Sequence, residues 1–280
     1  MFTVYKRVPE IMVKVNYHIH STYSDGRATI LEYVEEAVRK GFHEIAFTEH
    51  LAIRPGSMRK LYYSIDASKI GDYVEEVRGV EKSFKGLNVK AGLEVDYFPG
   101  SESLLKDIFE SNDLDFTMVS IHWIGEFCLD CVKYKRAFEI AVKEEGFDKF
   151  YSKYLRLLGE AVESGLFKVI AHFDVVRNWG FGTSSDFKRD ELKILERAGD
   201  LEMAVEVSSK GLRNPIKEPY PTRRILEYCG SLRIPITLGT DAHRLNEIDA
   251  NYDSIVEYAR SVGYTELATF NRGKLGFVSL

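Results

Sequence analysis

The sequence predicts an α/β barrel of about seven strands, folded as a single domain. Two features carry this expectation. Apolar, β-branched runs alternate with amphipathic helical stretches from one end of the chain to the other, and six of the seven histidines fall in or next to a few of those runs. Alternating β and α segments indicate a parallel sheet covered by helices, and near-continuous apolar runs indicate strands buried on both faces. At 280 residues, 45% hydrophobic and 29% charged, the chain has the material for one large core, at a length α/β barrels commonly use whole.

The expected strands are Met12–His18, Glu44–His50, Val89–Tyr97, Phe116–Trp123, Lys168–Asp174, Met203–Ser209 and Ile236–Asp241. The first helix is the clearest: Thr29-Ile-Leu-Glu32 forms a capping box, Leu31, Val34 and Val38 suggest its apolar face, and Gly41 supplies a stop. Further helices are expected over 66–84, 101–111, 134–164, 186–199, 220–230 and 246–262. Three longer inserts, Leu51–Ile65, Gly125–Tyr134 and Lys210–Pro221, follow strands and so belong to the face where barrel enzymes keep their sites.

Bulk properties narrow the function. The formal charge is −5 without a Lys/Arg-rich block, which argues against a nucleic-acid partner. No apolar run is long enough to cross a membrane, and Met1–Glu10 lacks a signal-peptide stretch, so a cytoplasmic protein with no membrane partner is expected. Three cysteines, an odd and low count, fit a reducing compartment, and Cys128-Leu-Asp-Cys131 lacks the second pair of a structural zinc site, so it is read as an incidental loop pair. Neither a Gly-x-Ser-x-Gly motif nor a P-loop is present, which leaves a serine hydrolase or an ATPase unsupported.

His18 and His20 are two apart on a strand, so both rings point to one side and can share a cation; a buried, hydrogen-bonded histidine pair is the plainer reading of that motif alone. Asp241-Ala-His243 repeats the geometry near the last strand, where an Asp also serves as a helix cap. Glu94 lies inside a strand run, where a carboxylate is costly unless it is paired or coordinated. His50, His122 and His172 each close an apolar strand, and Asp25 follows the first strand. Parallel barrel strands deliver side chains at these positions to one face. Taken together, imidazole and carboxylate groups suit Zn, Fe or Mn better than Mg or Ca. His43, after Gly41, is expected on the surface.

The ordered series His18-x-His20, Asp25, His50, Glu94, His122, His172, Asp241-x-His243 resembles the PHP (polymerase and histidinol phosphatase) family across nearly the whole chain. Several stretches look like its monofunctional histidinol-phosphate phosphatase branch: His20-Ser-Thr-Tyr-Ser-Asp-Gly26, Phe47-Thr-Glu-His50, Gly92-Leu-Glu-Val-Asp-Tyr97, Ser120-Ile-His122, Glu206 through Gly211-Leu-Arg213, and Thr240-Asp-Ala-His243. Ser208-Ser209-Lys210 departs from the Asn-Thr-Ser-like run expected there, Phe173 stands where proline is common, and Gly125–Lys135 does not align with the family.

The resemblance implies a distorted (β/α)7 barrel with two to three divalent ions (Zn, Fe or Mn) at the C-terminal ends of the strands. His18, His20, Glu94 and Asp241 would hold one ion; Glu94, His122 and His172 a second, with Glu94 bridging; Asp25, His50 and His243 a third. Arg177 and Arg213 look like phosphate-facing residues. The implied reaction is hydrolysis of a small phosphomonoester, L-histidinol phosphate, by a metal-bound hydroxide held by Glu94, Asp241 and His243. Such a substrate also carries an imidazole and an ammonium. Trp123, Tyr97 or Trp179, with an acidic residue from the 125–135 loop, are candidates to meet them. A same-family enzyme acting on another phosphomonoester or on a phosphodiester or nucleic acid, an amidohydrolase and a non-catalytic barrel are the rival readings.

Overall fold

A computed structural model describes residues 13–56 and 61–280. Met1–Glu10 and the Met12 end of the first expected strand lie outside them. Seven parallel strands form the barrel, in the order β1 (Val15–Ile19), β2 (Glu44–Ala52), β3 (Asn88–Asp96), β4 (Phe116–Ser120), β7 (Val169–Ile170), β8 (Ala204–Ser208) and β9 (Ile236–Gly239). A short antiparallel hairpin, β5 (Trp123–Ile124) and β6 (Phe127–Cys128), interrupts the series after β4. The barrel strands are almost wholly buried, as parallel strands covered by helices must be.

The barrel closes by an unusual seam. β1 and β9 share only a bridge between Ile19 and Ala242, with hydrogen bonds from the His20 N–H to Ala242 O (2.9 Å) and from the Ala242 N–H to His18 O (3.2 Å). The Asn16 side chain completes the seam. Its amide donates to Thr240 Oγ1 and Ile248 O, and its carbonyl accepts from the His18 and Thr240 N–H groups. A buried amide thus replaces a regular ladder between β1 and β9, and it fixes both strands that carry paired site residues.

Helices α1 (Ile30–Arg39), α2 (Ile70–Ser83), α3 (Glu102–Ser111), α4 (Lys135–Glu145), α5 (Phe147–Glu163), α6 (Lys188–Asp200), α7 (Lys210–Arg213), α8 (Arg223–Ser231) and α9 (Tyr252–Arg260) supply the cover. The capping box of α1 forms as expected, between Thr29 and Glu32. Its buried face is Ile30, Tyr33, Val34 and Ala37, the regular i, i+3, i+4, i+7 stripe, and this corrects the expected one: Leu31 and Val38 are exposed. The helix expected over 134–164 is two helices, split at Gly146, whose φ of +84° and ψ of 141° favour glycine. His43 is half-buried rather than exposed, because its Nδ1 accepts the Lys14 N–H (3.1 Å) and ties the entries of β1 and β2.

A C-terminal hairpin, β10 (Glu266–Asn271) and β11 (Lys274–Ser279), was not among the expected elements. Its Phe270 packs on Tyr17 and Phe116, and the Phe270 N–H donates to Tyr17 Oη (2.9 Å). The Arg272 N–H donates to Asp115, just before β4. The hairpin therefore seals the strand-entry end of the barrel, opposite the histidines.

Candidate metal centre

All nine candidate ligands converge at the strand-exit mouth. Glu94 is the hub. It is fully buried, opposite His50 in the β2–β3 register, and meets five imidazoles. Its Oε2 lies 3.1 Å from His18 Nε2, 3.4 Å from His20 Nε2 and 3.0 Å from His50 Nδ1. Its Oε1 lies 2.8 Å from His172 Nε2 and 3.5 Å from His122 Nε2. Asp241 Oδ1 is 3.4 Å from His20 Nε2 and 3.3 Å from His243 Nδ1. Asp25 closes the outer side, with Oδ1 3.3 Å from His243 Nε2 and 3.7 Å from His50 Nε2.

The turn that carries Asp25 is built for the purpose. The buried Glu49 carboxylate accepts from the Ser21 N–H and hydroxyl and from the Ser24 hydroxyl. A Cβ on Gly26 would stand 2.0 Å from the His20 carbonyl oxygen, so only glycine lets the chain turn back here. Outer carboxylates orient the rings. Glu206 takes His18 Nδ1 (2.8 Å) and the His172 N–H (2.7 Å), while Asp96 takes His122 Nδ1 (2.7 Å) and the Tyr63 hydroxyl. Such partners fix the tautomer and aim the other ring nitrogen inward. His172 (φ +22°) and Asp241 (φ +50°) both sit in left-handed backbone, strain held by this surrounding network.

Charge follows the geometry. Burial pushes the Glu94 carboxyl up, but the His18, His50 and His122 imidazoles overcome it and hold the group well below the usual carboxylate range. Asp241 is likewise depressed, its burial outweighed by the Lys210 ammonium and His18. His20 is held well below the ordinary imidazole value by burial and by the neighbouring His50 and His243 rings. It is thus a neutral donor, the form in which imidazole binds metals.

The donor set fits divalent ions. His20 Nδ1 and Nε2, His50 Nδ1, His122 Nε2, His172 Nδ1, Asp25 Oδ1 and Asp241 Oδ1 are buried without a hydrogen-bond partner. Orphaned polar atoms this numerous are costly in one spot, and divalent ions within the cluster would satisfy those that face one another. Four groupings within the nine hold ligand atoms close enough to share an ion: His18/His20/Asp241, His18/Glu94/His172, His50/Glu94/His122 and His20/Asp25/His50/His243.

The centre floors a cavity of about 450 Å³. Each of the three inserts reaches its wall: Tyr62 and Tyr63 from the first, Cys128, Asp130 and Cys131 from the second, Lys210, Arg213 and Asn214 from the third. Lys210 and Asp130 were not singled out in advance. Lys210 Nζ lies 2.7 Å from Asp241 Oδ2 and 3.4 Å from Asp130 Oδ2, and Asp130 Oδ2 is 3.9 Å from His122 Nε2. The departure at Lys210 and the unmatched loop were the signals that pointed there.

Other expected residues lie elsewhere. Arg213 lines the cavity, with its guanidinium on Ser209 Oγ and the Thr240 and Asp241 carbonyls. Arg177 does not: it pairs with Asp174 and Glu218 (both 3.5 Å) in a separate cleft with Arg224, because it sits in a helical turn that bends away from the mouth. Tyr97 donates to Glu102 in a larger cleft of about 720 Å³ between α5 and α6, which lacks a histidine cluster. Trp123 donates to Tyr63, and Trp179 lies under Lys135; neither lines the cavity. Cys128 and Cys131, read as an incidental pair, are joined by a disulfide in the cavity wall.

A seven-stranded parallel barrel that gathers imidazoles and carboxylates at one mouth defines a metal-dependent hydrolase barrel. The PHP domain matches residues 16–210, and the chain belongs to the PHP family. It is 26% identical to a histidinol-phosphatase of Lactococcus lactis over 274 residues, covering 94% of this chain and 97% of that one. It is 25% identical to a histidinol-phosphatase of Bacillus subtilis over 269 residues, 88% of this chain and 99% of the other. Among solved structures, the Lactococcus lactis histidinol phosphate phosphatase complexed with Zn, L-histidinol and phosphate superposes with a TM-score of 0.74 over 94% of this chain and 98% of that one. A Listeria monocytogenes structure at 20% identity and a TM-score of 0.75 shares the fold.

Proposed function

We propose that this protein hydrolyses L-histidinol phosphate to L-histidinol and phosphate, a step of histidine biosynthesis, using two to three divalent ions. The observation that carries the reading is the Glu94-centred cluster beneath a cavity walled by Lys210 and Arg213, in a barrel alike end to end to a phosphatase complexed with zinc, histidinol and phosphate. His18, His20, Glu94 and Asp241 would hold one ion, Glu94, His122 and His172 another, and Asp25, His50 and His243 a third, with His20 near enough to join that last group. When bound, the ions supply a nucleophilic water near neutral pH and positive charge for the phosphoryl oxygens.

The protein's own groups orient the substrate. Arg213 is anchored on the segment just after the last barrel strand and presents a planar guanidinium to the cavity, the shape that matches phosphate oxygens. Asp130 offers a carboxylate to the substrate ammonium, and Tyr62 at the rim offers a ring beside its imidazole. Phosphate release from L-histidinol phosphate, with metal content measured on the same sample, tests this. Selective turnover with two to three equivalents of Zn, Fe or Mn is expected. Metal without turnover would overturn the substrate, and absence of both would overturn the centre.

A further inference from the structure

The turn Cys128-Leu-Asp-Cys131 lies in the cavity wall, yet the reaction proposed above makes no use of its sulfurs. Its position is fixed from both sides. The Leu129 N–H donates to the His122 carbonyl (2.8 Å), and Leu129 is fully buried, so the turn cannot drift from the candidate centre. Cys128 Sγ lies 3.4 Å from Asp130 Oδ1, and the two sulfurs and one Asp130 oxygen fall within 4.8 Å of one another, inside the span one cation can bridge. The opposite oxygen of Asp130 faces Lys210 and His122.

We propose that this turn is a redox-gated metal subsite. As the disulfide, the sulfurs are poor ligands and the subsite is closed. As dithiol, Cys128, Cys131 and Asp130 take one thiophilic divalent ion such as Zn²⁺, since two thiolates and a carboxylate suit zinc rather than magnesium or calcium. Opening needs a reductant. With a tertiary phosphine, the S–S bond breaks, phosphorus is oxidised to the phosphine oxide with its oxygen from water, and the two sulfurs keep the two protons. Zinc binding then releases those protons as two Zn–S bonds form. An ion taken by the Asp130 oxygen beside Cys128 leaves the opposite oxygen facing Lys210 and His122, so the redox state sets the charge beside that carboxylate in the cavity wall. The subsite is independent of which phosphomonoester the barrel hydrolyses.

The full-length protein is divided into untreated and phosphine-reduced samples, each is then loaded with Zn²⁺ and freed of excess, and bound zinc is measured in each. One further equivalent is expected in the reduced sample. Co²⁺ at that position is expected to give a thiolate-to-cobalt charge-transfer band, and Cys131→Ser to abolish both signals while the oxidised stoichiometry stays unchanged. In reduced wild-type protein, Zn²⁺ is also expected to slow alkylation of Cys128 and Cys131 roughly tenfold or more, because the bound thiolate is no longer a free nucleophile. The wild-type measurement stands if the variant fails to fold. Equal zinc content in the two redox states, a cobalt spectrum without the band, or unprotected thiols would each overturn the proposal.

Discussion

At the residue scale, the centre depends on groups one step removed from any ion. Glu206 accepts two N–H bonds at once, from the His18 ring and the His172 backbone. Glutamine at this position has one oxygen and one NH₂, so it can serve only one of them. Glu206→Gln is expected to weaken metal binding by about 10–100-fold, read by chelator competition; unchanged affinity would remove its orienting role. Gly239 makes room for this carboxylate, since a Cβ there would lie 2.0 Å from Glu206 Oε1 and 2.7 Å from His18 Cβ. Gly239→Ala is therefore expected to reproduce the metal loss with Glu206 intact. The convergence of the nine candidates was legible in part: the two-residue strand period put His18 and His20 on one side, whereas Asp25 in the following turn and Asp241 with its φ of +50° were picked out by the ordered series alone. Arg177 was misplaced because a turn after a strand, unlike the strand itself, leaves direction unspecified by period. The disulfide was equally hidden: spacing alone cannot distinguish a bonded pair from a free one. Cys229 is buried and its thiol is pushed up to about 12 by that burial. A colorimetric thiol assay is expected to find no reactive group in the native oxidised protein, one after denaturation, and three after denaturation and reduction. A reactive native thiol would contradict either the burial or the bond.

At the scale of elements, the strands were readable wherever apolar runs were bounded by polar turns, and the helices wherever a 3.6-residue stripe was strong. The break between α4 and α5 escaped because apolar periodicity resumes on the far side of Gly146 and masks the interruption. The C-terminal hairpin escaped because its turn, Asn271-Arg-Gly-Lys274, has φ of +47° at Arg272, a conformation normally marked by Asn or Gly. Gly146 offers a clean test of the helix break. A Cβ there would meet no neighbouring atom, so any cost of Gly146→Ala is conformational rather than steric. The φ of +84° with ψ of 141° is essentially reserved for glycine, and the substitution is expected to cost on the order of 1–3 kcal/mol. Thermal unfolding reads this directly, and an unchanged Tm would mean that α4 and α5 join by another route.

At the scale of the molecule, the centre is a staple. Its nine candidate groups come from β1, β2, β3 and from the segments that follow β1, β4, β7 and β9, so removing ions held by them is expected to loosen the whole mouth of the barrel. At free metal a thousand times the dissociation constant, one site adds about 4 kcal/mol to stability, and chelation is expected to lower Tm by on the order of 10 °C. The pH dependence distinguishes the two forms. In chelated protein, the buried carboxylates have only protonated neighbours as counter-charge. Burial opposes a charged His122, but Asp96, Asp130 and Glu94 outweigh it and raise its pKa to about 10. An unfolded histidine titrates near ~6.5. A group whose pKa folding raises stabilises fully below its unfolded value, and the contribution vanishes as pH climbs through the folded one. From His122, then, the chelated protein is expected to lose stability between about pH 6.5 and about 10. His20 and His50 are shifted downward, so their contribution is lost only toward acid and leaves this window untouched. In loaded protein an ion is expected to replace the proton on His122, and because ligands must shed protons to bind, acid rather than alkali is expected to weaken it. Folding also raises His18 and His243, so curves of Tm against pH for the two forms are expected to diverge as pH rises above neutrality, and parallel curves would show that none of these histidines exchanges a proton for metal.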